Sequence, residues 1–291
     1  MRNFQLPGRS PAFALNGMAA SSSTLASLAA VDVLKSGGNA VDAAVTASAV
    51  LCMTEPHMTG IGGDCFALIG RPDGTVIGLN GSGRASYRAD AGWLRKSGLT
   101  AISSDSIHAV TVPGAVDAWD RLLKAHGTTD LKEALGPAIR LAEQGVPVSP
   151  RVAWDWADMM PALSVDEGGK VHYLKDGKAP KPGEVMHYPA LAKTLKLIAE
   201  KGRDEFYLGS IAEDILGHLG RRGSLRTQED FARTEATCNI DRHVCVTFPP
   251  RPARFPAETD FWLKFSARTA GVWRFCWELG RLVREVRMGS T

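Results

Sequence analysis

The chain has 291 residues, 44% of them hydrophobic and 22% charged, with a formal net charge of +3. That composition excludes a collagen-like or intrinsically disordered chain, and at about 150 residues per domain the length allows one large domain or two small ones. A chain this long buries roughly 75% of its unfolded surface, so it needs no disulfide or metal staple, and it has no run of about 18 apolar residues that would span a bilayer.

The charge is unevenly spread. Residues 242–291 hold nine Lys/Arg and only four Asp/Glu, which leaves the body mildly acidic. The five cysteines (Cys52, Cys65, Cys238, Cys245 and Cys276) are odd in number and match neither CxxC nor a zinc ligand set, so they read as unpaired thiols. Met1 to Leu15 lacks the apolar core of a signal peptide, and a cytoplasmic location is expected.

In chain order, Leu25, Leu28, Val31 and Leu34 recur at helical spacing, and predict a helix over 22–36 that Gly37-Gly38 stops. Asn39 stands where an N-cap belongs, before a second helix over 40–52 made of small side chains. Its one charge, Asp42, lies in the first turn, where the helix dipole favours a carboxylate. Gly60, Gly62 and Gly63 then imply a sharp turn or a close backbone approach. Cys65–Ile69 and Thr75–Asn80 read as a hairpin about the turn Pro72-Asp73-Gly74, with Gly81-Ser82-Gly83-Arg84 at its end.

Helices follow. One starts at Pro113-Gly114 and runs to Ala125, with Val116, Trp119, Leu122 and Leu123 on one face; others cover Leu131–Ala142, 150–163, Tyr188–Lys201 and Glu205–Leu219. Gly168–Pro182 reads as a polar loop or short hairpin. From about residue 242 the texture changes. The tail holds eight of the chain's aromatic residues and four prolines, and 261–288 could form a basic aromatic helix without a clean apolar stripe.

Chemistry-bearing motifs are few. Gly60-Ile61-Gly62-Gly63 fits neither a Walker loop nor GxGxxG, and it follows a helix rather than a strand, which argues against nucleotide binding. The seven histidines form no HExxH or other i,i+4 pair, so no metal site is indicated, and no GxSxG elbow is present. No nucleic-acid module accompanies the basic tail, so neither nucleic acid nor membrane is expected as a partner. Arg84, just past a strand end in a glycine-rich turn, is placed to meet a carboxylate in bidentate fashion, or to be an ordinary surface charge.

Taken together, Gly17-Met18-Ala19-Ala20, Gly37-Gly38-Asn39-Ala40-Val41-Asp42-Ala43-Ala44 and Glu55-Pro56 with Gly60–Asp64 resemble the start of the γ-glutamyltransferase (γ-glutamyltranspeptidase) family. The resemblance continues in order through Thr111–Gly114, Pro137–Ala142 with Gly145, Pro189–Leu195, Phe206–Ala212 and Leu225–Phe231. It implies an α+β chain, the helix-rich large-subunit portion of an N-terminal-nucleophile hydrolase with a four-layer αββα sandwich. In that family the new N-terminal threonine of the small subunit attacks a γ-glutamyl amide, with its own free amine as base. Glutathione is the usual donor, the acyl group passes to water or an amine, and no cofactor is implied. A large-subunit arginine holds the substrate α-carboxylate.

Two departures stand out. The family arginine sits in an R-E-x-A-P pattern, whereas here Ser82 takes its place in an ungapped alignment and Arg84 falls two positions later. Arg84 is then the one substrate-binding candidate, and a related acylase acting on another acyl group is an alternative. The nucleophilic threonine is expected well over a hundred residues beyond this segment, and Thr128-Thr129 does not fit its context. The expectation is therefore a large-subunit-like domain over 1–241 and a disordered tail without family resemblance over 242–291, from a truncated or frame-disrupted gene. Such a chain would be inactive alone, or would complement a separately encoded small subunit.

Overall fold

Small side chains decide how the first helices meet. The computed structural model describes residues 12–103, 106–240 and 262–266. Helix α1 (Thr24–Lys35) docks through Ala26, Ala29 and Ala30, while Leu28, part of the predicted apolar stripe, is 56% exposed. The correction has a packing cause: α2 (Ala40–Thr54) presents mostly Ala, Val, Ser and Thr, and an alanine face allows closer approach than a leucine face. Gly37 ends α1 at φ 94°, a left-handed conformation that glycine adopts without strain. Asn39 caps α2 in a reciprocal box with Asp42.

The hairpin forms as predicted from β1 (Cys65–Gly70) and β2 (Val76–Gly81), antiparallel with Ala67 opposite Leu79. Three elements come next: α3 (Ala91–Lys96), a 3-10 turn over Ile107–Ala109, and α4 (Ala115–His126), whose Val116, Trp119, Leu122 and Leu123 are buried as the spacing predicted. Then come α5 (Leu131–Gln144), β3 (Val146–Pro147), α6 (Pro150–Asp158) and α7 (Met160–Leu163).

Three helix readings need correcting. The single helix expected over 150–163 is two, α6 and α7, divided at Met159 just before Pro161, whose missing N–H cannot continue the helical hydrogen bonding. Residues 167–173 are a helix, α8 (Glu167–Tyr173), rather than a polar loop; Asp166 caps it by accepting from Gly168 N–H, and its last turn is held by Trp156 Nε1–H donating to the Tyr173 carbonyl. After β4 (Val185–Met186) and α9 (Pro189–Lys201), the single helix predicted over 205–219 is two, α10 (Arg203–Tyr207) and α11 (Ser210–Arg221). The chain breaks at Leu208-Gly209, where the Glu205 carboxylate accepts from Ser210 N–H at 3.2 Å. α12 (Gln228–Ala232), β5 (Thr237–Ile240) and β6 (Trp262–Ser266) complete the order.

The main sheet runs β5-β2-β1-β6 with all neighbours antiparallel, and β3-β4 form a separate ribbon. The strand over 262–266 corrects the helix expected there; the rest of the 242–291 tail lies outside the described residues, save 262–266. One face of the sheet, with Cys65, Ala67, Ile69, Ile77 and Leu79, is buried with α2 and α4 in the core. The other face carries Phe66 and Leu68, and Leu68 is 39% exposed among the described residues.

Candidate functional site

The sequence-predicted site residues gather where β2 ends, around a junction of glycines. The turn over Gly60–Gly63 closes with Gly63 N–H donating to the Gly60 carbonyl at 3.1 Å. The Gly63 carbonyl in turn accepts from Gly114 and Ala115 N–H, both at 3.0 Å. Those are donors at the α4 N-terminus, so the glycine loop satisfies with its own carbonyl what a phosphate would otherwise have bound.

Side chains are excluded here for a steric reason. A Cβ on Gly81 would stand 2.6 Å from Ala118 Cβ and 2.7 Å from the Cys65 carbonyl oxygen, and one on Gly83 would run into the Val112 carbonyl. Asp64 fixes the turn by accepting Gly83 N–H at 2.7 Å, and Asn80 accepts Ser82 N–H at 2.9 Å. Burial raises the Asp64 pKa above the ordinary carboxylate range, against the stabilising Gly83 N–H. Val112 N–H donates to the Arg84 carbonyl at 3.0 Å. The Arg84 backbone is thus pinned while its side chain is exposed, and it makes no ion pair among the described residues.

The loop after Arg84 is tied down by Asp230, which accepts from Tyr87 N–H at 2.7 Å, Ser86 Oγ–H at 3.0 Å and Thr227 N–H at 2.7 Å. Burial alone would raise the Asp230 pKa; these donors outweigh it and hold the carboxyl below its usual range. Ser86 Oγ also lies 2.8 Å from the Leu225 carbonyl, so segment 224–227 borders the Arg84 loop.

That places Arg226, which sequence reasoning missed, beside the site. Its Nη1–H reaches the Ile107 carbonyl at 3.4 Å, and its Nε is buried with no hydrogen-bond partner among the described residues. Burial lowers its pKa, against the attraction of Asp230. The only hint in the sequence was a charged residue just before the Thr227 cap, which by itself reads as surface charge.

Other candidates are held elsewhere for structural reasons. Thr128 Oγ1–H and Thr129 Oγ1–H both donate to Asp42, at 2.7 and 3.1 Å, in the turn between α4 and α5. Their hydroxyls hold the N-terminal turn of α2. Asp42 does more than support its own turn, since it links α2 to that turn. Cys52 and Cys65 are buried, which pushes the Cys52 thiol up to about 12 and the Cys65 thiol higher, far from a reactive thiolate. Among the described residues no group of three His, Cys, Asp or Glu side chains could hold a metal ion, and no helix is long and apolar enough to cross a membrane. The site offers one guanidinium, that of Arg84, on a glycine turn fixed by backbone bonds, which suits carboxylate binding.

Comparison with known proteins places this geometry. The gamma-glutamyltranspeptidase family model matches residues 26–249. The chain is 41% identical over 209 residues to the glutathione hydrolase-like YwrD proenzyme of Bacillus subtilis, covering 71% of this chain and 39% of that protein. It is 36% identical over 222 residues to the oxamate amidohydrolase proenzyme of Klebsiella pneumoniae, covering 74% and 42%. It therefore spans about two fifths of the length of these curated relatives. The crystal structure of Helicobacter pylori gamma-glutamyltranspeptidase superposes with a TM-score of 0.75 at 32% identity, over 79% of this chain and 67% of that one. The helices and the sheet described above are thus the large-subunit portion of an N-terminal-nucleophile hydrolase fold. On these grounds the chain belongs to the gamma-glutamyltranspeptidase family.

Proposed function

We propose that this chain forms the substrate-carboxylate half of an amide-cleaving site of the γ-glutamyl transfer type, with Arg84 gripping the α-carboxylate of a glutathione-like donor. The observation that carries the reading is Arg84 itself: a cation free of ion pairs among the described residues, on a backbone pinned by the Val112 bond and the glycine junction. Pre-organisation of this kind lets a guanidinium bind a carboxylate without first ordering its loop.

The nucleophile comes from a small-subunit segment that is no part of the described residues. Two features support this. The hydroxyls of Thr128 and Thr129 are engaged by Asp42, and on the outer sheet face Leu68 is exposed and Phe66 half-buried among the described residues, as on a sheet awaiting a second layer. By this reading the 291-residue chain is inactive alone and complements a small subunit. The purified chain should release no nitroaniline from γ-glutamyl-p-nitroanilide, and should do so once a small subunit is added. Release by the chain alone would overturn the dependence. Glutathione should bind the complemented enzyme, and Arg84→Ala should weaken that binding about tenfold, the loss of one charge-assisted contact. Unchanged affinity in the variant would remove Arg84 from the site.

A second reading has a specific observation behind it. Ser82 stands where the family arginine is expected, and the oxamate amidohydrolase of Klebsiella pneumoniae is among the relatives. The acyl group then differs while the carboxylate grip stays. A panel of amides assayed with the complemented enzyme separates the two: preference for a γ-glutamyl amide supports the first reading, and preference for a shorter carboxylated amide supports the second.

A further inference from the structure

The alanine docking of α1 has left something behind. Between α1 and α5, above α2, lies an open cavity of about 540 Å³. Leu25 and Leu28 line it from α1, and Pro137 and Leu141 from α5. An exposed leucine at the rim of a concave site is more informative than one on a convex surface.

The polar groups are arranged as opposites. Asp32 lines the α1 side and Arg140 the α5 side, both exposed, and neither makes an ion pair among the described residues. Thr46, among the lining residues, is fully buried, and its hydroxyl has no hydrogen-bond partner among the described residues. Pro137 has no N–H, so the Glu133 carbonyl one turn earlier is denied its helical donor on the same wall.

The structure assigns this cavity, we propose, to a zwitterionic peptide of two or three residues with apolar side chains. Its carboxylate would meet Arg140, its ammonium Asp32, and its side chains the leucines. The size suits a ligand larger than a single amino acid, since binding pockets run from about 300 to 1,000 Å³. The charges disfavour a phosphate ester, because the lining holds one guanidinium and two carboxylates, Asp32 and Glu133. The site is separate from the Arg84 turn: its lining comes from α1, α2, α5 and their adjoining turns, with none from β2. It stands whether or not the amide-cleaving reading holds.

The test is calorimetric titration of the 291-residue chain with leucyl-leucine, N-acetyl-leucyl-leucine and leucyl-leucinamide. Saturable binding of the first is expected, with each blocked peptide about tenfold weaker for want of one charge-assisted contact. Arg140→Gln should abolish the preference for a free carboxylate and leave the preference for a free amine; Asp32→Asn should do the reverse. Both positions are exposed, so an unchanged thermal melt shows that either variant is folded. Absence of saturable binding would overturn the proposal. So would equal binding of all three peptides, which would mark an apolar groove for another protein segment, or a variant that weakens all three alike.

Discussion

Asp64 shows how much one carboxylate settles at the glycine junction. It is the acceptor for Gly83 N–H at 2.7 Å, and without it that donor is left in a half-buried turn. Asp64→Ala should cost about 1–3 kcal/mol in denaturant titration, whereas Asp64→Asn, which keeps an acceptor oxygen, should cost well under that. Because burial raises the Asp64 pKa, the folded state holds its proton to higher pH than the unfolded chain does. Its contribution to stability therefore falls as pH rises from the ordinary carboxylate range through the raised value, and Asp64→Asn should flatten that slope. Gly83→Ala drives a methyl into the Val112 carbonyl and should cost about 3 kcal/mol, because backbone rather than a flexible side chain would have to move. A Gly83→Ala chain with wild-type stability would contradict the close approach.

Among the elements, α2 is fixed at its N-terminus by a carboxylate that joins its own cap to the turn between α4 and α5. Asp42 accepts from Asn39 N–H at 2.8 Å, Thr128 N–H at 2.8 Å and the two threonine hydroxyls. Burial alone would raise its pKa, but the Thr128 hydroxyl and the backbone donors prevail and lower it. The stabilisation is thus present above the ordinary carboxylate range and is lost as pH falls through the lowered value. Asp42→Ala should cost about 3 kcal/mol near neutral pH, and the gap from wild type should narrow in acid. Asp117 plays the matching part for α4: fully buried, it accepts from Arg121 Nε–H at 3.1 Å and Ala236 N–H at 2.6 Å, and pairs with Arg203. Asp117→Ala leaves the buried Ala236 N–H without an acceptor, while Arg121 keeps Glu235 and Arg203 keeps Asp204, so it should cost about 1–3 kcal/mol. The helix that sequence reasoning ran through 205–219 breaks because Glu205 turns back on Ser210, a contact that periodicity does not register. α1 has the opposite history: its leucine stripe was legible, yet the alanines pack, because the partner helix was itself small.

For the whole molecule, the uneven treatment of the two sheet faces is the main consequence. Leu68 points away from the helices and is 39% exposed. Leu68→Asp, in an interior strand, should cost the isolated chain about 1 kcal/mol and leave it folded by thermal melt, yet reduce the activity recovered on adding a small subunit. Equal recovery would mean that this face is not where the rest of the enzyme packs.

The sequence by itself determined the hairpin, the cap at Asn39, the buried face of α4, the glycine junction and the family, because each depends on local spacing or on residues that stand in order along the chain. Only the tertiary structure decided that Asp230 ties Tyr87, that Arg226 borders the Arg84 loop, that residues 262–266 pair with β1, and that α1 leaves a cavity against α5. Those contacts join positions tens to hundreds of residues apart. What selects them is the shape and hydrogen-bonding need of a distant surface, and that appears only once the chain has folded onto itself.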